Sequence, residues 1–435
     1  MLPPAAGPPA LGKGQDNAQW TVGRGQAAAW EDEHPQARLA AKSNHLFSHG
    51  EEAMSKKLFR TLLCLATVVA MAFSCGWAAE NAPTASKQDL PRPDGKPADM
   101  TKPVQVFILL GQSNMVGMGK IAGGEGSLEN AVKTKKKYAY LADEAGNWTQ
   151  RSDVRYVRVM DGRGGGTQLF NNEWMTVATC RTIGPEFGIG HLVGNAVDAP
   201  VMILKSCIGN RSLGWDLLPP GSQRYEFVAK DKQGAEKTLV YAGYKDRPDS
   251  WEMDKAKGTT TEPPPWLDKS GKPIDWYAGK QYDADVAKAK KVLEELDTYY
   301  PGATKYEVAG FFFWQGEKDC GNAGHASRYE QNLVRFIKQL RQDFNAPGAK
   351  FVLATLGEST KGCGGNGGMV LDAQLAVDGK SGKYPEFKGN VATVYSNPLS
   401  MGGSGNSHYG GNSETYMNVG EAMGRAMVKL LEEKK

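Results

Sequence analysis

The chain has 435 residues, with 52 Lys and Arg against 48 Asp and Glu and a formal net charge of +4. So even a balance excludes a protein that works by laying a concentrated basic face on nucleic acid. A content of 40% hydrophobic and 23% charged residues excludes wholesale disorder.

In chain order, residues 1–53 are rich in Pro, Gly, Ala and Gln without sustained periodicity, and they read as a stretch upstream of the true start at Met54. Residues 54–78 have the build of a secretory signal: Lys56, Lys57 and Arg60, an apolar run from Leu62 to Phe73, then small residues up to a cut after Ala78. The run is short for a membrane span, so the expectation is an exported protein, periplasmic or extracellular, without stable membrane insertion. Residues 79–102, polar and proline-rich, read as a linker.

The domain expected over 103–435 opens with Val104 to Leu110, a nearly continuous apolar run of the kind that forms a strand buried on both faces of a parallel sheet. Similar runs recur at Pro200 to Leu204, Val308 to Trp314, Phe351 to Leu356 and Val391 to Tyr395. Helical patterns lie between them at Glu186 to Ala196, Asp283 to Tyr299, Ser327 to Phe344 and Val370 to Val377. The last, Glu414 to Leu431, is capped by Asn412 or Ser413. The alternation predicts an α/β protein with a doubly wound, five-stranded, mainly parallel sheet, whose ligands bind beyond the carboxyl ends of the strands.

Two stretches interrupt the pattern. Residues 117–178, with short strand-like pieces and the Gly162 to Gly166 cluster, read as an excursion over the active face. An insertion at about 217–282 holds six prolines from Pro219 to Pro265, with Trp251, Trp266, Trp276, Tyr277 and Tyr282 available either to stack on sugar rings or to pin the loop to the body.

The chemistry-bearing candidates sit just after the runs. Ser113, in Gly111-Gln112-Ser113-Asn114-Met115, is placed at the carboxyl end of the first strand, where a nucleophile stands. The stretch is neither a GxSxG elbow nor a Walker loop. The histidines after the signal are His191, His325 and His408, the first within a helical apolar pattern. There is no HExxH or CxxC spacing, so a metal is not expected. Cys180, Cys207, Cys320 and Cys363 permit two disulfides, and the pairings Cys180–Cys207 and Cys320–Cys363 would brace the active rim.

GQSNM after the first strand, Trp314-Gln315-Gly316-Glu317 after a later one, and His408 before the final helix together resemble the sialate O-acetylesterase and acetylxylan esterase group of the SGNH hydrolases. The resemblance runs from about Val104 to Leu431. It implies a three-layer α/β/α flavodoxin-like fold and cofactor-free cleavage of acetyl esters on carbohydrates. Ser113 is then nucleophile and His408 general base. The oxyanion hole is formed by the backbone NH groups of Ser113 and Gly209 with the side-chain amide of Gln315 or Asn210, and Gln112, Asn114, Trp215 and His325 are candidate substrate contacts. Many SGNH hydrolases carry Asp three residues before the histidine, where this chain has Gly405. The acid is therefore expected from Glu317, with Asp319 as the alternate. Two other readings remain open: a general carboxylesterase of small acyl esters, and a non-catalytic glycan-binding protein on the same fold.

Overall fold

The computed structural model describes residues 90–161, 166–253, 256 and 263–433. The expected upstream stretch, the signal segment, the start of the linker and most of the Gly162 to Gly166 cluster lie outside the described residues. Leu90 packs on the core, and Arg92 Nε donates to the Ala142 carbonyl at 2.9 Å.

Seven strands form the main sheet: β1 (Val104–Gly111), β2 (Gln150–Asp161), β3 (Thr167–Thr176), β4 (Val201–Ser206), β5 (Tyr306–Trp314), β6 (Lys350–Ala354) and β7 (Val391–Val394). Their order is β7-β6-β5-β1-β4-β2-β3, parallel except for β3, which runs antiparallel to β2. All five apolar runs are strands of this sheet. The expected count of five falls short because the 117–178 segment is not only an excursion: it adds the β2–β3 hairpin to one edge. Arg151, Arg155 and Arg158 break up the apolar pattern of β2. Each has a partner, respectively Asp153 at 2.6 Å, the Tyr299 carbonyl at 3.0 Å and the Phe170 ring at 4.9 Å.

The long helices are α1 (Glu186–Ala196), α2 (Lys280–Glu294), α3 (Ala323–Asp343), α4 (Gly365–Ala376) and α5 (Ser413–Glu432). Side chains alternate across a strand, so β1 feeds two cores. Val104, Val106, Ile108 and Leu110 pack with α2, α3 and α4 on one face, while Phe107 and Leu109 pack with α1 and α5 on the other. This is the three-layer α/β/α sandwich, and it explains why β1 reads as one unbroken apolar run. Helix starts follow their caps: the Asn412 side chain accepts from Glu414 N, and that of Asn322 accepts from His325 N. Among the described residues no helix is long and apolar enough to cross a membrane.

The insertion forms a three-stranded antiparallel sheet (Tyr225–Lys230, Glu236–Tyr241, Ser250–Glu252) over a small core of its own. Trp215, Leu218 and Trp251 are buried in that core, with Trp266 and Trp276 packed against them. These tryptophans pin the insertion. The four cysteines are free, so the two expected disulfides are not formed.

Candidate active site

β1 is the central strand, and it ends in a backbone geometry that only glycine takes easily. Gly111 has φ +148°, and a β-carbon there would stand 2.3 Å from the Trp314 carbonyl. The chain can therefore turn sharply into the single helical turn Ser113–Val116, which sets Ser113 at the carboxyl edge of the sheet with Gln112 and Asn114 buried beside it. From β4 comes Cys207-Ile208-Gly209-Asn210. A β-carbon on Gly209 would meet that of Ser113 at 3.4 Å, so the two backbones are neighbours. Asn210 is exposed and left-handed at φ 57°, a conformation Asn tolerates better than most residues.

From β5 comes Glu317, buried, with both oxygens engaged: Gln112 Nε2 donates to Oε2 at 2.8 Å and Asn114 Nδ2 to Oε1 at 2.6 Å. Asn114 Nδ2 also reaches the Gly405 carbonyl at 3.2 Å, across 291 residues of chain. Gly405 in turn accepts from His408 N at 2.9 Å. The Tyr416 hydroxyl lies 3.2 Å from Asn114 Oδ1 and 3.4 Å from the His408 carbonyl. The His408 turn is conformationally costly, since His408, Tyr409, Gly410 and Gly411 are left-handed in succession. Such residues persist only where the surroundings over-determine them, and they concentrate at functional sites.

Several expected roles are replaced by structural ones. Among the described residues, neither Glu317 nor Asp319 is hydrogen-bonded to His408. Glu317 is held by the two amides beside Ser113. Asp319 accepts from the backbone of Leu213 at 2.9 Å and Gly214 at 2.8 Å and from Gln315 Nε2 at 2.6 Å. Gln315 is not free to serve an oxyanion. It is 0% exposed, its Nε2 lies within 3.2 Å of Gln112 Oε1, the Arg211 carbonyl and Asp319, and its Oε1 accepts from Tyr329. Asn210, the other amide considered, is the one left open to a ligand.

The four candidate substrate contacts are likewise buried. Gln112 and Asn114 brace Glu317. Trp215, 8% exposed, meets the Trp266 ring at 5.8 Å. The His325 imidazole is 2.8 Å from Asp249 Oδ1, which ties α3 to the insertion.

The electrostatics follow from burial. It pushes the Glu317 carboxyl up to about 7, with the Glu358 charge adding to the effect, against the pull of the Asn114 hydrogen bond. Glu358 Oε2 accepts from Gly405 N at 2.9 Å, so two glutamates flank the place where an Asp side chain would project. Burial also lowers the His408 pKa below its ordinary 6.5, which keeps the imidazole neutral and able to take a proton at neutral pH.

Residues 267–429, which carry Gln315, Glu317 and His408, match the family described as carbohydrate esterase, sialic acid-specific acetylesterase. The protein is a carbohydrate acetylesterase, a carboxylic ester hydrolase. The Ser113 turn lies before the matched segment. No curated protein matches the sequence.

Three solved structures are similar to this esterase in outline. One is a protein from Arabidopsis thaliana, 17% identical, covering 75% of this chain and 98% of its own with a TM-score of 0.40. A carbohydrate acetylesterase from Xanthomonas citri is 13% identical over 74% of this chain, which spans 55% of that enzyme, with a TM-score of 0.38. NanS is 12% identical over 76% of this chain and 98% of its own, also at 0.38.

Two features of the esterase's site were not singled out from the sequence. Glu358 lies in the loop just after a strand, where the rule that ligands meet strand ends would have pointed. The buried pair Lys205–Glu186, at 2.5 Å, supports the Ser113 turn from below, because Lys205 Nζ also donates to the Val116 carbonyl at 3.0 Å. Nothing in the residue spacing signals it.

Proposed function

We propose that the protein is an exported serine esterase that removes O-acetyl groups from carbohydrates through an acetyl-enzyme, with Ser113 as nucleophile and His408 as general base. The observation that carries this reading is the Asn114 amide, which bonds both Glu317 and the Gly405 carbonyl and so draws the Ser113 turn and the His408 turn to one edge of the sheet. His408 takes the hydroxyl proton as Ser113 Oγ attacks the acetyl carbonyl carbon, and the negative oxygen accepts from the NH groups of Ser113 and Gly209 and from the Asn210 amide. His408 then gives its proton to the departing sugar oxygen. A water attacks the acetyl-enzyme as His408 removes its proton, and return of that proton to Oγ releases acetate and restores the serine.

With no carboxylate among the described residues bonded to its imidazole, His408 works as one half of a dyad. Glu317 is a positioning residue that holds Gln112 and Asn114. Export rests on the basic, apolar and small-residue sequence of 54–78.

Acetate release measured over acetylated xylan, O-acetylated sialic acids and acetylated algal or bacterial polysaccharides, with Ser113→Ala as control, tests the reading. Release from at least one glycan that falls more than ~10³-fold in the variant is expected. Release that survives Ser113→Ala would sink it. Equal rates on aryl esters and every glycan would favour the unspecialised carboxylesterase.

A further inference from the structure

A groove of about 570 Å³ runs along the outer face of α3, between that helix, the start of the insertion and Tyr384. That volume is in the range of small-ligand sites. The helix contributes Arg328, Asn332 and Arg335, which share one stripe because positions four and seven apart face the same way.

The stripe is chemically unbalanced. Arg224 and Lys338 also line the groove, and no acidic residue among the described ones does. Arg224 is engaged with Asp246 at 2.5 Å and Lys338 with Glu386 at 2.8 Å. Arg328 and Arg335 have no carboxylate partner among the described residues. Arg328 lies over the Tyr225 ring at 4.8 Å, which orients its guanidinium without neutralising it. Arg335 reaches across to Gly221, where a β-carbon would stand 2.8 Å from its Nη1.

Between the two arginines sits Asn332, 9% exposed, whose Nδ2 is buried without a hydrogen-bond partner. A buried amide NH2 without a protein partner among the described residues is costly to leave unmade, and a water or a ligand oxygen would satisfy it. Two guanidinium forks without a carboxylate partner, flanking the Asn332 amide, make a donor-rich surface, which suits an acceptor-rich anion of several ångströms.

We propose that this groove is an accessory subsite for an anionic saccharide unit, bearing a carboxylate or a sulfate, of the polymer whose acetyl groups the enzyme removes. The choice of a saccharide over other anions rests on the carbohydrate acetylesterase reading. The donor-rich groove itself does not. Arg328 and Arg335 grip the charged group, and Asn332 donates to a neighbouring carboxylate or hydroxyl oxygen. Bound there, the polymer is held by contacts outside the Ser113 site, which raises its local concentration at the chemistry.

The test is calorimetric binding of three probes to the intact protein: trigalacturonate for the carboxylate source, a carrageenan-derived sulfated tetrasaccharide for the sulfate source, and xylotetraose as the neutral control. The double variant Arg328→Gln/Arg335→Gln changes two exposed side chains that have no hydrogen bond to the Ser113 turn among the described residues, and hydrolysis of p-nitrophenyl acetate monitors that turn separately. Binding of one charged probe at least tenfold tighter than xylotetraose is expected. It should weaken at least tenfold in the double variant while aryl acetate turnover stays unchanged. Arginine-dependent binding in a protein that releases no acetate would uphold the groove and sink only the catalytic reading. Equal binding of the charged probes by wild type and double variant, xylotetraose binding as tightly, or an oligothymidylate displacing the saccharide at equal concentration would overturn the proposal.

Discussion

A β-carbon on Gly405 would stand 2.6 Å from Oε1 of Glu317, closer than real β-carbons approach any atom. The position where many SGNH hydrolases keep their aspartate is thus filled from another strand. Glu317, fixed by two amides, cannot move aside without releasing Gln112 and Asn114.

Gly405→Ala is accordingly expected to lower stability by about 1–3 kcal/mol, the usual cost of overpacking. Gly405→Asp should be worse, because it sets a third carboxylate against Glu317 and Glu358, and it should lower rather than restore kcat. Thermal melts and acetate release check both. A Gly405→Asp variant faster than wild type would mean that His408 lacks only that acid.

Glu317 gives stability a pH dependence. Its carboxyl sits near 7 in the folded protein against 4.5 ordinarily. A raised acid binds more protons folded than unfolded, so its contribution is fully present below about 4.5 and is lost as pH rises through about 7. The shift corresponds to at most about 3 kcal/mol. Melts at pH 5 and pH 8 should therefore separate more for wild type than for Glu317→Gln. Glu358→Gln removes the second cause of the shift after burial, and it should move the transition to lower pH. Equal pH slopes in all three proteins would contradict this account.

Asn210 and Gln315, both amides near the rim, are expected to fail differently. Asn210→Ala removes a free donor and should cost ~10²–10³ in kcat with little change in melting. Gln315→Ala strips partners from the Arg211 carbonyl, Asp319 and Tyr329, each lost bond to a buried group costing about 1–3 kcal/mol, so its main effect should be on melting. The reverse pattern would hand the oxyanion role back to Gln315.

Lys205→Met leaves the buried Glu186 carboxylate uncompensated and should cost about 3–5 kcal/mol. Lys205→Met/Glu186→Gln should recover part of that loss, since removing both charges removes the desolvation penalty. Denaturant unfolding of both variants checks it. A double variant no better than the single would place the damage in the lost Val116 hydrogen bond instead.

Much of the fold was legible in the residues. The runs from Val104, Pro200, Val308, Phe351 and Val391 are strands, Glu186–Ala196 is the helix expected residue for residue, and Asn412 caps the last helix. β2 showed only as short strand-like pieces, among them Val154 to Val159, because its three arginines interrupt the apolar pattern, and its place as one continuous strand of the main sheet came from the tertiary pairing. The tryptophans of the insertion showed their composition but not their use, and the structure buries them.

Burial on one or both faces is written into short spacings along the chain, so periodicity alone settled the strands and the helices, and put Ser113 at a strand's carboxyl end. Which acceptor an amide finds was decided only in three dimensions. Glu317, Asp319 and Gln315 sit within five residues of one another, yet one braces the Ser113 turn, one holds the 213–214 backbone and one links both. A hydrogen bond depends on ångström distances between groups that packing brings together from 105 to 205 residues apart, and no local pattern encodes that.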